Sequence, residues 1–138
     1  MRVDLYKLCV LYIRGGIYSD IDIKPLKPID RWDLYPFDKY QVVIGKEVNK
    51  WHFETRTMMS VPRHPLFKYI IEYVYDSLVM NRIEYGELET VHISTGSTII
   101  SKAIRSFLGV SYQQPASIIM EILQMSNNKN SSIHAICK

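Results

Sequence analysis

Asp20 and Asp22 stand one residue apart in the segment Arg14-Gly-Gly-Ile-Tyr-Ser-Asp-Ile-Asp-Ile-Lys-Pro25. On a β-strand, residues two apart point to the same side, roughly 6.5 to 7 Å from each other. Two carboxylates at that spacing repel unless water solvates them or a positive charge lies between them. A divalent cation supplies that charge, and Mg²⁺ or Mn²⁺ favours such oxygen donors, typically one or two carboxylates plus phosphate oxygens. The plainer alternative is a solvated strand edge, where acids discourage edge-to-edge pairing. A glycosidase acid/base pair fits less well, because those carboxylates flank a bond from two sides rather than stand together on one strand.

The surrounding elements must position this pair. Apolar spacing predicts a helix from Met1 to Ile13, with Leu5, Leu8, Cys9 and Tyr12 on one stripe. Gly15-Gly16 ends it, since glycine takes the left-handed backbone that a helix stop needs. Ile17 to Ile23 then alternates as a strand, with Tyr18, Asp20 and Asp22 on one face, until Lys24-Pro-Leu-Lys-Pro28 breaks it. Strands are expected at Gln41–Val48, Arg56–Val61 and Val91–Ser94, and helices at His64–Met80, Ser97–Leu108 and Pro115–Met125. Pro65 suits the first turn of its helix, and 126–132 reads as a polar loop. No internal repeat is visible. Strands interleaved with helices define an α/β chain with a mixed sheet.

Composition narrows the function classes. The 138 residues suit one domain with one continuous core, and 47% hydrophobic against 22% charged residues is a globular balance. The formal net charge is +3 and the cations are scattered, which gives no case for nucleic-acid binding. Cys9 and Cys137, far apart and without motif spacing, suggest neither a zinc site nor a disulfide framework. No apolar run reaches the roughly 18 residues of a membrane span, and no signal peptide is evident. The chain is expected to be soluble as given, cytoplasmic or membrane-associated through a segment outside it.

The ordered run Arg2-Val-Asp4, Lys7, Leu11-Tyr12, Gly15-Gly16-Ile-Tyr18-Ser-Asp20-Ile-Asp22 and Pro25-Leu-Lys-Pro28 resembles the sugar-binding region of Asp-x-Asp glycosyltransferases. The likeness is to glycosyltransferase family 32 and its relatives, which include initiating α-mannosyltransferases and capsule enzymes. Met58-Met59-Ser60, His64-Pro65 and Thr95-Gly96 look like later landmarks of the same group. The resemblance implies a GT-A, Rossmann-like nucleotide-sugar-binding domain, here a single and partial domain over residues 1–138. It implies a retaining transfer of a hexose from a UDP- or GDP-sugar to a glycan, lipid-linked or protein acceptor. Asp20 and Asp22 would hold Mn²⁺ or Mg²⁺ against the diphosphate, and Asp4 would bond donor-sugar hydroxyls. Tyr18 would pack beside that site, unless it is only a buried strand aromatic. Gly15 and Gly16 would let the chain turn below it, although helix termination alone explains them.

Two departures stand out. Lys7 replaces the family's usual arginine one turn after Asp4, keeping the charge but not the planar bidentate grip. The family also places some tens of residues before this helix, so the first nucleotide-binding segment is expected to be short or missing. At the other end, Ser132-Ile-His134-Ala resembles the start of a closing element, with His134 as a metal or diphosphate ligand or as an exposed terminal histidine. His92 precedes the Thr95-Gly96-Ser97 turn, where a helix start could receive a sugar or anionic oxygen, or Thr95 or Ser97 could simply cap the helix. Trp32, Tyr35 and Trp51 could stack on an acceptor sugar or pack locally. Two rival functions remain: an inactive binding or assembly partner, and an Asp-x-Asp phosphatase. Lys24 stands where the phosphatase pattern has Thr or Val, which weighs against the second.

Overall fold

The computed structural model describes residues 2–32, 40–47, 51–80, 95–111, 113 and 133–136. Helix α1 spans Arg2–Arg14 and leads through Gly15 into strand β1, Gly16–Ser19. A short 3₁₀ turn at Ile29–Arg31 precedes β2, Val42–Lys46, and β3, Phe53–Ser60. Helices α2, Pro65–Met80, and α3, Ser97–Leu108, follow, and β4 is Ile133–Ile136. The expected strand at 91–94, helix at 115–125 and loop at 126–132 lie outside the described residues, as do Tyr35 and His92.

Among the described residues the sheet has four strands in the order β1-β3-β2-β4. β3 pairs antiparallel with both β1 and β2, while β4 runs parallel to β2. It is therefore mixed, as the alternation of elements implied. Strand pleating sorts the side chains by face. Tyr18, Met58 and Ile44 align across three strands and join the main core under the helices. Ile17, Met59 and Val43 form the next row, and Val43 and Met59 make a second small cluster with Tyr40.

The helices close the first face with spacings of three and four residues. Leu8 and Leu11 of α1, Leu66, Phe67, Ile70 and Val74 of α2, and Ile99, Ile100, Ala103 and Ile104 of α3 are all buried. Each large aliphatic side chain so buried contributes about 1.5–3 kcal/mol. His64 caps α2: its Nδ1 accepts the Leu66 N–H at 3.2 Å, and burial holds its pKa below the ordinary value, favouring the neutral ring that can accept. Two polar residues of α3 grip the start of β3. Ser101 Oγ accepts the Phe53 N–H at 2.8 Å, and Arg105 donates to the Trp51 carbonyl at 2.5 Å. β3 accordingly starts at Phe53, three residues before the Arg56 expected from sequence.

The first strand is shorter than expected and does not run to Ile23. Its ladder with β3 stops after the Asp20 N–H reaches the Arg56 carbonyl at 2.8 Å, and the chain then turns, closed by Ile23 N–H to Asp20 O at 3.1 Å. Continuing the register would set Asp22 opposite Glu54, a like-charge pair that destabilises a sheet. It would also aim Asp22 at the face that the helices cover. The turn releases it to solvent instead. β4 was not anticipated, since four residues after a polar stretch carry too little pattern to read.

Gly15 and Gly16 have φ of +65° and +95°. At Gly15 a Cβ would lie 2.6 Å from Pro62 Cδ and 2.8 Å from the Ser60 carbonyl oxygen, while at Gly16 it would meet open space. Both positions need glycine for the backbone, but only Gly15 needs it for contact. Gly16→Ala should therefore cost about 1–2 kcal/mol from backbone strain. Gly15→Ala should cost distinctly more, because the turn at Pro62 must also shift. Urea unfolding of the two variants measures the difference, and equal losses would show that the contact with Pro62 carries no weight.

Candidate active site

Asp4 sits on the first turn of α1, and Lys7 lies one turn later on the same face, with its ammonium 3.4 Å from Asp4 Oδ1. Lys7 is only 3% exposed, so its ammonium meets the half-buried Asp4 carboxylate from inside the protein. The other Asp4 oxygen, Oδ2, accepts the Thr95 hydroxyl at 3.1 Å. Thr95 is thus tied to α1 by its side chain. Gly96, in extended backbone and without a side-chain cap, opens α3. The expectation that Thr95 or Ser97 caps the helix is not met.

The Lys7 ammonium also lies 5.7 Å from the centre of the Tyr18 ring, within cation–π range. Across that ring, the Tyr18 hydroxyl donates to Asp20 Oδ1 at 2.8 Å. A continuous path therefore runs Thr95–Asp4–Lys7–Tyr18–Asp20, from the start of α3 through α1 to the end of β1. Asp22 stands exposed in the next turn.

Electrostatics follow from this crowding. Burial pushes the Tyr18 hydroxyl up to about 12, helped by its bond to Asp20 and by the charges of Asp20, Asp4 and Asp22. For Asp4, burial acts upward, but hydrogen bonds, the one from Thr95 among them, and the Lys7 ammonium outweigh it and leave the carboxyl below its ordinary value. Arg56 lies beside the turn, with its carbonyl bonded to the Asp20 N–H and its guanidinium held by Glu54 at 2.6 Å. That bond to Glu54 raises the Arg56 pKa first, and the charge of Asp22 adds to it. Sequence reading did not single out Arg56, because only strand register places it opposite Asp20.

The donor set suits a hard divalent cation. Asp20 and Asp22 offer carboxylate oxygens, and the negative field felt at Tyr18 favours a positive charge among them. Among the described residues, no group of three or more His, Cys, Asp or Glu side chains is placed to hold an ion. Two acids with water and phosphate oxygens completing the shell is the ordinary arrangement for Mg²⁺.

Gly15 and Gly16 join α1 to β1 and so set the distance between Lys7 and Tyr18. Gly96 is brought near Asp4 by its neighbour Thr95. His134 is not brought to the acids. On β4 its backbone pairs with Val43 of β2, and among the described strands β4 lies farthest from β1, three strand spacings or roughly 14 Å across. Trp32 is engaged locally, donating to the Lys27 carbonyl at 3.0 Å. An apolar cleft of about 370 Å³, lined by Ile17, Tyr40, Met59, Val61 and Pro62, opens on the sheet face away from Tyr18 and is not part of this constellation.

Comparison with known proteins agrees with the resemblance. The family model described as the glycosyltransferase sugar-binding region containing the DXD motif matches residues 1–38. An initiation-specific alpha-1,6-mannosyltransferase of Candida albicans is 28% identical over 109 residues, covering 66% of this chain and 28% of that protein. The protein of the same name from Schizosaccharomyces pombe is 28% identical over 129 residues, covering 81% of this chain and 33% of that one. Its Saccharomyces cerevisiae namesake is 50% identical over 32 residues, 23% of this chain and 7% of that protein. Apart from that short match, the chain spans about a quarter to a third of the length of the curated relatives it matches. No solved structure matches it. Among the described residues, no helix is long and apolar enough to cross a membrane. The chain is similar to Asp-x-Asp glycosyltransferases, most densely across the residues that build α1, β1 and the acidic turn.

The raised Tyr18 pKa makes a direct test of the geometry. A group whose folded pKa lies above its unfolded value stabilises the fold fully below the unfolded value and loses that contribution as pH rises through the folded one. The contribution of Tyr18 should thus be intact below about pH 10 and fade as pH approaches about 12. Difference absorbance between the parent chain and Tyr18→Phe isolates one tyrosinate, expected to titrate near the upper value. In an Asp20→Asn background it should fall only part of the way, because burial, the first cause of the rise, remains. A midpoint already near 10 in the parent would mean that the carboxylates are not arrayed around the hydroxyl.

Proposed function

We propose that the chain is a single GT-A-like domain, residues 1–138, of a metal-dependent glycosyltransferase that moves a hexose from a nucleotide sugar to a glycan, lipid-linked or protein acceptor. The observation that carries this reading is the connected set Asp4, Lys7, Tyr18 and Asp20, with Asp22 beside it, in the segment that matches the sugar-binding family model. The relatives named as mannosyltransferases favour a hexose donor, UDP- or GDP-linked. Retention at the anomeric carbon belongs to the same resemblance.

Asp20 and Asp22 would hold Mn²⁺ or Mg²⁺, whose charge, when bound, neutralises the diphosphate that departs with the nucleotide. The protein's own groups do the rest. Asp4, held by Lys7 and Thr95, would accept hydrogen bonds from donor-sugar hydroxyls. Lys7 keeps Asp4 ionised and fixed by compensating its charge from within the core. Thr95 aligns the start of α3 with Asp4, so that backbone N–H groups at Gly96 and beyond face sugar or phosphate oxygens. Gly15 and Gly16 keep α1 and β1 close enough for one donor to span Asp4 and the acidic turn. His134 as a further ligand fits this arrangement less well, given its place on the far strand.

The test is nucleotide release from UDP-glucose, UDP-galactose or GDP-mannose, with and without Mn²⁺. Metal-dependent release is expected, lowered about 10²-fold or more by Asp20→Asn or Asp22→Asn. Release from p-nitrophenyl phosphate instead would favour the phosphatase. Silence toward every donor would favour a binding or assembly partner.

A further inference from the structure

We propose that Tyr18 sets the metal selectivity of the acidic turn by engaging one oxygen of Asp20, an inference that rests on reading Asp20 and Asp22 as cation ligands. The Tyr18 hydroxyl donates to Asp20 Oδ1 at 2.8 Å. Among the described residues, Asp20 Oδ2 accepts no hydrogen bond, and neither does Asp22. The two oxygens of the first acid are therefore unequal before any ion arrives.

The hydroxyl cannot easily leave. Its ring stands in the Tyr18–Met58 register of the sheet, packs against the main core and lies under the Lys7 ammonium at 5.7 Å. Swinging the phenol away from Asp20 would pull the ring out of those contacts. The Asp20 N–H is also fixed, to the Arg56 carbonyl, so backbone and carboxylate are held from both sides.

An acid held this way presents one oxygen in one direction. That suits a small octahedral ion, which takes single carboxylate oxygens at about 2.0–2.1 Å and keeps other positions for water or phosphate. It suits Ca²⁺ less, because that ion takes six to eight oxygens at about 2.3–2.6 Å and gains from a carboxylate that chelates with both. Outer partners that orient a ligand commonly govern about 10–100-fold in metal affinity. Tyr18 is thus a positioning residue: it acts on the ion through Asp20.

Tyr18→Phe removes the hydroxyl and keeps the ring, its packing and its place under Lys7. Calorimetric titration of the 138-residue chain with MnCl₂ alone and with CaCl₂ alone gives the Mn²⁺/Ca²⁺ affinity ratio. The ratio should fall about tenfold in Tyr18→Phe, mostly through weaker Mn²⁺ binding, with a single cooperative melting transition retained in the absence of metal. Asp22→Asn should weaken both ions and leave the ratio near its parent value. An unchanged ratio in Tyr18→Phe, with both ions still bound, overturns the selectivity role and leaves the cation reading standing. A parent chain that binds neither ion removes both.

Discussion

The close approach at Gly15 is the constraint on which the arrangement depends. Its Cα sits where a methyl group would collide with Pro62 and with the Ser60 carbonyl. The Arg63 N–H meanwhile reaches the Tyr12 carbonyl at 2.6 Å. The end of α1 is thereby fastened to the turn between β3 and α2, not merely left to follow β1. Because β1 pairs with β3, the same turn fixes both partners of the Lys7–Tyr18 contact. A looser junction would let α1 pivot, and a few ångströms at Lys7 would separate the Asp4 pair from the acidic turn.

Within that frame, the exchange of arginine for lysine has a structural logic. Lys7 is buried between a carboxylate and an aromatic ring, and a compact ammonium on a flexible stem serves both without the wide planar fork of a guanidinium. It compensates the half-buried Asp4 carboxylate from the core side. A pair with one partner buried is weak evidence for stability, since desolvation opposes the attraction. Its worth lies in fixing where Asp4 points. Arg56 supplies a second cation at the solvent side of the turn, already committed to Glu54, so it moderates the field of Asp22 without cancelling it.

Much of this was legible in the sequence where one local rule dominated. The three long helices follow from apolar spacing, and Gly109 ends α3 in the left-handed backbone such stops use. The dense run from Asp4 to Asp22 named side chains that the structure joins in one connected set. What could not be read depends on partners distant in the chain. Nothing near Asp4 predicts that Thr95 bonds to it 91 residues later, and nothing near Phe53 predicts that Ser101 starts its strand earlier. The break after Ser19 also depends on register, since it is the register that would set Asp22 opposite Glu54 and toward the helices. β4 needed a long-range parallel pairing that four residues cannot signal.

That break changes what the acids can do. On a continuing strand, Asp20 and Asp22 would share one face, near the apolar core, and neither could move without the sheet. On the turn they differ: Asp20 is half-buried and bonded to Tyr18, while Asp22 is exposed. One acid is then preorganised and the other adaptable. Under the proposed function, a fixed ligand would lower the ordering cost of capturing an ion, and an exposed one would adjust to phosphate oxygens arriving with a donor. Two rigid acids would hold an ion tightly at one geometry, and two free ones would hold it weakly at many. The pairing of one of each follows from where the ladder ends, with the Asp20 N–H on the Arg56 carbonyl and Asp22 in the turn beyond it.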